Sequence, residues 1–185
     1  MFRFLPLVAA FAMISCSSCR TAAPKEDAAP AAAASAAPQS VAEPSGASGP
    51  RIGVDLPGDQ WLVSRPDQVP PGFQFFIVNK RTQAAIGFSM LERPGPREAV
   101  EALSARLRSD GFACGAVTVS ADGDRAGFTL TITPDGQDKP AAEGKVSARA
   151  LPGGGSIVAQ GVWMPASAPD MLKDFDYIVD QLKIE

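Results

Sequence analysis

The sequence predicts an α+β domain: an antiparallel sheet of about six to eight strands, made of hairpins in series and packed with two main helices. Three observations carry this. Strand-like runs come in pairs across turn residues, two stretches carry helical apolar stripes, and strands do not alternate with helices as parallel sheets require. A disordered Ala/Pro-rich tether precedes the domain. The 185 residues divide into a leader at 1–15, a linker at 16–50 and one globular domain at 51–185.

The leader reads as a secretory signal peptide. Arg3 supplies its positive end, and 4–14 (FLPLVAAFAMI) is an apolar run of 11 residues. A spanning helix needs about 20 apolar residues, so this run, with Pro6 inside it, is no permanent anchor. It ends in Met13-Ile14-Ser15-Cys16, which resembles a bacterial lipobox, with Met13 standing where Leu is usual. The resemblance implies a diacylglyceryl group on the Cys16 thiol, cleavage just before it and acylation of the new amino terminus. Ser17 in place of Asp after the cysteine implies sorting to the outer membrane. At ~0.8 kcal/mol per buried methylene, three chains on Cys16 would hold the protein to the membrane. The alternative is an ordinary cleaved signal followed by a stray cysteine.

In 21–50, Ala, Pro and Ser fill 21 of 30 positions, and no aromatic residue is present. Such a segment lacks side chains large enough to offset its ordering entropy, and its prolines keep the alanines from joining into one helix. From Ser17 to Pro50 a flexible coil averages about 30–35 Å, and a polyproline-like chain reaches about 100 Å.

Within the domain, short strands are expected at 51–55 and 61–64. Strands at 73–79 and 84–91 flank the polar turn 80–83, those at 115–120 and 126–133 flank Asp122-Gly123, and those at 144–151 and 156–163 flank Gly153-Gly154-Gly155. The first helix spans 96–110, entered through Gly95-Pro96 and stopped by Gly111, with Val100, Leu103 and Leu107 on one face. The second spans 169–183, where Ser167-x-x-Asp170 has the form of a capping box and Leu172, Phe175, Val179 and Leu182 form a core stripe. Phe128, Leu130 and Ile132 alternate with Thr129, Thr131 and Thr133, and Lys145, Ser147 and Arg149 alternate with Val146, Ala148 and Ala150. One face of these strands is therefore core, and the other is polar and at most lightly covered.

The opening Val54-Asp55-Leu56-Pro57-Gly58-Asp59-Gln60-Trp61 and the order of elements after it resemble PsbP-like and DcrB-like domains. The resemblance covers essentially all of 51–185. It implies a sheet flanked by helices on both faces, and a family of binding and assembly modules: photosystem subunits, a Ran-binding import factor and envelope lipoproteins. They are not enzymes as a class.

Candidate chemistry is sparse. The chain has no histidine and a net charge of −3, which closes imidazole-based catalysis and the common zinc sets. It also offers no cationic groove for nucleic acid. Cys114, the domain's one cysteine, reads as a buried small residue, since only Lys or Arg is available to activate it. A Cys19–Cys114 disulfide is the minority reading. Asp122-Gly123-Asp124 and Asp135-Gly136-Gln137-Asp138 lack the spacing of a calcium loop and read as turns. Asp170, Asp174 and Asp176 read as solvated helix surface. Gly153-Gly154-Gly155-Ser156 lacks the Lys of a phosphate loop. Trp61 and Trp163 read as core, with their N–H groups satisfied at the rim.

The sequence thus predicts no catalytic residue, metal or cofactor. The leading expectation is a lipid-anchored, non-catalytic interaction or assembly module of the bacterial cell envelope. Its membrane contact runs through acyl chains on Cys16, and its protein partner binds the polar sheet face near Thr129, Thr131, Lys145 and Arg149. A carrier of lipid or another apolar ligand is the second reading. An enzyme using paired carboxylates is the third.

Overall fold

A computed structural model describes residues 52–134 and 136–184. The expected signal peptide, Cys16, Ser17, Cys19, the expected linker and Asp135 lie outside the described residues.

Two meanders make the sheet. Strands β2 (Trp61–Val63), β3 (Phe75–Asn79) and β4 (Ala85–Leu91) form the first. Helix α1 (Pro96–Ser109) follows. The short strands β5 (Ala113–Cys114) and β6 (Thr118–Val119) then lead into the second meander, β7 (Arg125–Ile132), β8 (Ala142–Ala150) and β9 (Ser156–Trp163). β9 docks against β4, so the order is β2-β3-β4-β9-β8-β7-β5, with β6 also on β7 and every pairing antiparallel. Helix α2 (Ala168–Asp180) closes the domain, and β1 (Ile52–Gly53) pairs with β10 (Lys183–Ile184) in a separate ribbon.

The three expected hairpins form. The strand read at 115–120 shortens to Thr118–Val119, and a separate fragment, Ala113–Cys114, pairs with β7 ahead of it. At the break the Arg108 guanidinium donates to the carbonyls of Cys114 and Gly115 at 3.2 and 2.9 Å, occupying acceptors that a continuous ladder would use, while the Gly115 amide still donates to the Thr129 carbonyl. Helix α1 ends as the sequence predicts. Gly111 adopts φ +90°, and the amides of Gly111 and Phe112 return to the carbonyls of Arg108 and Leu107, which satisfies the helix's last acceptors.

The C-terminal helix departs from expectation at both ends. Ser167 makes no side-chain cap bond; its hydroxyl donates back to the Met164 carbonyl at 2.9 Å, so no capping box forms. At the other end α2 stops at Asp180, because Leu182 turns into the core and Lys183–Ile184 pair with Ile52–Gly53. The buried stripe of α2 is Ala168, Met171, Phe175, Ile178 and Val179, with Leu172 only partly covered.

The two helices cover opposite faces. Val100, with Leu103 and Leu107 partly covered, packs against Phe128, Leu130, Val146, Ala148 and Val158. The stripe of α2 packs on the other face against Ile77, Ile86, Phe88, Ile157, Ala159 and Trp163. Central β9 is therefore buried along its whole length, on both sides. Where α2 crosses it, Gly161 leaves room for an aromatic ring: a Cβ there would lie 2.6 Å from Phe175 and 2.8 Å from Trp163. These two rings meet at 5.9 Å between centroids, tilted by 60°.

Gly161→Ala is expected to cost about 1–3 kcal/mol, the range for overpacking a well-filled core, measured by urea unfolding. In Gly161→Ala/Phe175→Leu the combined loss should fall short of the sum of the single losses. Strict additivity would show that the ring and the glycine do not act together.

Candidate functional site

The sequence-predicted polar face lies on the α2 side of β7 and β8. Pairing aligns Thr129 with Lys145 and Gly127 with Ser147, and these four residues floor an open groove of about 720 Å³. Asp176, Val179 and Asp180 of α2 form one wall, and Thr118, Val119 and Ser120 form the other. The floor is low because Gly127 carries no side chain. A Cβ there would stand 2.6 Å from the Val146 carbonyl oxygen, so the close packing of β7 on β8 maintains the depression.

Charges line the groove in pairs. Lys145 Nζ lies 2.6 Å from Asp176 Oδ1 and 5.9 Å from the centroid of the Phe175 ring. Arg125 pairs with Asp180 at the far end. Each sheet cation is thus matched by a helix anion. The groove presents alternating charge, which suits a partner of mixed charge better than a polyanion. Val119, 42% exposed, adds an apolar contact on the strand wall.

Of the four predicted residues, Thr129 and Lys145 line the groove. Thr131, half-buried, is two residues further along β7. Arg149 is held beyond the groove, its Nη1 donating to the Leu182 carbonyl at 3.2 Å. It braces the turn after α2. The acidic residues of α2 are less free than the sequence reading had them. Asp174 accepts the Trp61 indole N–H at 2.8 Å and Asp176 holds Lys145; Asp170 alone of the three remains plain exposed surface. Sequence reasoning missed Arg125, Asp176 and Asp180 as groove residues. The strand periodicity placed Thr129 and Lys145 on one face, but no local signal reports which helix turn crosses above them.

Trp61 and Trp163 are both core, as expected. Trp61 satisfies its N–H through Asp174, whereas Trp163 Nε1 is sealed in without a partner. Cys114 is half-buried beside Ser104 and Arg108. Burial pushes its thiol above the ordinary range, and the Arg108 charge and Ser104 hydroxyl offset only part of that. Asp122 forms a turn, accepting from Ser120 Oγ and the Asp124 amide, which holds its carboxyl below the usual range. Among the described residues no cluster of three or more His, Cys, Asp or Glu side chains is placed to hold a metal ion.

No protein-family model and no curated protein matches the sequence. Solved structures do. The Ran-binding protein Mog1p of Saccharomyces cerevisiae superposes with a TM-score of 0.53 at 11% identity, over 71% of this chain and 89% of that one. Cyanobacterial PsbP (CyanoP) from Synechocystis sp. PCC 6803 matches at 8% identity over 72% and 86%, with a TM-score of 0.47. LpqN of Mycobacterium tuberculosis, described as involved in cell envelope biogenesis, matches at 16% identity over 79% and 90%, with a TM-score of 0.49. The chain therefore has the fold of Mog1p, with a helix on each face of the sheet.

A raised thiol pKa means less thiolate at any given pH. In a Cys19→Ser background, iodoacetamide should alkylate Cys114 with a midpoint at higher pH in the folded protein than in urea. Mass spectrometry of the Cys114 peptide reads this, and a folded midpoint equal to or below the unfolded one would contradict the burial argument.

Proposed function

We propose that the chain is a non-catalytic protein-interaction module, tethered by lipid to a bacterial cell envelope, and that its partner docks in the groove between α2 and the β6–β7–β8 surface. The observation that carries this reading is the groove itself: open, small-floored and lined by opposed charges, the character of an interaction surface. The fold supports it, since Mog1p, which shares it, is a Ran-binding protein. The membrane tether is supported by Met13-Ile14-Ser15-Cys16 and the linker behind it. Absence of catalysis is supported by the lack of histidine and by a Cys114 thiol shifted away from reactivity. Of outer and inner membrane, Ser17 favours the outer.

The anchor is tested by fractionation. Cys16→Ser should move the protein from membranes to the soluble fraction after a high-salt wash; a variant that stays with the membranes would overturn lipid tethering.

The docking face is tested by photo-crosslinking in cells from position 129. Wild-type protein should give discrete protein adducts. Lys145→Glu should diminish them, because it inverts the sheet side of the charge pattern. The swap Lys145→Glu/Asp176→Lys keeps an attractive pair, and so the fold, while reversing the pattern, and should diminish the adducts equally. Adducts unchanged in the swapped protein would remove the groove as the site.

A further inference from the structure

On the opposite face of the sheet, a second and smaller pocket of about 220 Å³ lies between α1 and strands β4 and β9. Its wall is apolar, with Leu91, Leu103 and Val158 prominent. Three lining residues are polar, and two are already engaged. Ser89 donates to the Gly72 carbonyl at 2.8 Å, and Arg106 pairs with Asp110 at 3.8 Å. The third, Gln160, is 8% exposed, and its carboxamide makes no hydrogen bond with any described residue. It lines the pocket, and its polar atoms are not sealed from solvent.

To displace water from this amide, an occupant must meet its demand for one donor and one acceptor. A purely hydrocarbon occupant would leave that demand in place. A hydroxyl, which both donates and accepts, meets it. The volume sets the body that carries the hydroxyl. It is below the roughly 300–1,000 Å³ of sites for drug-sized ligands, yet above the roughly 150 Å³ cavity that holds a benzene ring. One substituted ring fits.

We infer that this pocket is a socket for the phenol side chain of a partner protein's tyrosine, with Gln160 bonding its hydroxyl. The inference rests on the reading of the chain as an interaction module and adds a second contact to it. A buried aromatic anchor with a polar tip is the side-chain chemistry on which protein interfaces concentrate their energy. The surrounding face extends the contact. Register places Leu62 and Val78 on the same side of the sheet as Gln160. Leu62 is 43% exposed there, about 15 Å away across three strand spacings, while α1 packs over β7, β8 and β9.

The test uses the full chain in phospholipid nanodiscs, with p-cresol and toluene as probes and the Gln160 side-chain amide resonances as reporter. p-Cresol should saturate, shift those resonances, and bind at least tenfold more tightly than toluene. Gln160→Leu should erase that preference. Ala102 is an exposed residue of α1 that lines the pocket, and Ala102→Phe should fill it, abolishing p-cresol binding with an unchanged thermal midpoint. In cells the same variant should diminish the protein adducts captured from position 62. Equal affinity for the two probes, shifts that bypass Gln160, or no saturation would overturn the site. Loss of p-cresol binding with adducts intact would overturn the partner tyrosine and leave a free phenolic ligand, without touching the groove. Absence of adducts from both positions 62 and 129 would instead sink the interaction-module reading, and the partner tyrosine with it.

Discussion

The seating of Phe175 on Gly161 is the contact on which the rest of the domain depends. β9 is the middle strand and is buried on both faces, so any helix packed on it must find room within an already filled layer. Gly161 supplies that room, and the Phe175 ring fills it against Trp163. With Phe175 placed, the helical period fixes its neighbours. Asp174 turns toward β2, where it receives the Trp61 indole, and Asp176 turns toward β8, where it meets Lys145. One close approach thus sets the roll of α2 about its axis, and the roll decides which carboxylates overhang the groove.

The ion pairs of the groove do different work from the core. Asp176 and Asp180 are about half exposed, and exposed pairs contribute about 0–1 kcal/mol, less in salt. Their value lies in pattern. They fix where positive and negative potential fall along a depression whose position the core has already set, and complementary potential governs which partner is steered in and which is repelled. Arg149 contrasts with them. Its bond goes to a main-chain carbonyl just past α2, so it contributes to the end of the helix and to the β1–β10 ribbon beyond it.

What could be read from sequence follows the range over which the signals act. The hairpins were legible because each turn carries its own chemistry, and the ends of α1 because Pro96 and Gly111 act locally. Both faces of β7 and β8 were legible from alternation alone. The capping box was not, because the Ser167 hydroxyl has a nearer acceptor in the Met164 carbonyl, a competition that the spacing does not disclose. β10 was missed for another reason. Lys183–Ile184 continue a helical pattern in sequence, and only the pairing with Ile52–Gly53, more than 100 residues earlier, makes them a strand. The groove's helix wall was illegible on the same ground: Lys145 and Asp176 meet only after α2 has docked. Gln160 did leave a trace, as the one long polar side chain in Ser156–Trp163, but a polar residue in an apolar strand is equally the mark of an edge.

β9 carries two buried polar groups that bond to no described residue, and their contrast separates a cost from a site. Trp163 Nε1 is sealed within the α2-side core with no acceptor, a desolvation loss of about 1–3 kcal/mol. The ring is retained because its face packs on Phe175, and rings of that size dominate core energetics. No molecule reaches that N–H without unpacking the helix that defines the groove. Gln160, three residues earlier and on the other face, is also buried, but it lines a pocket and its amide is not sealed. Desolvation is therefore incomplete, and an occupant can reach the amide without disturbing α1. Burial alone would rank the two residues together. Access, which depends on the shape of the opposing layer, makes one an expense of packing and the other a place for recognition.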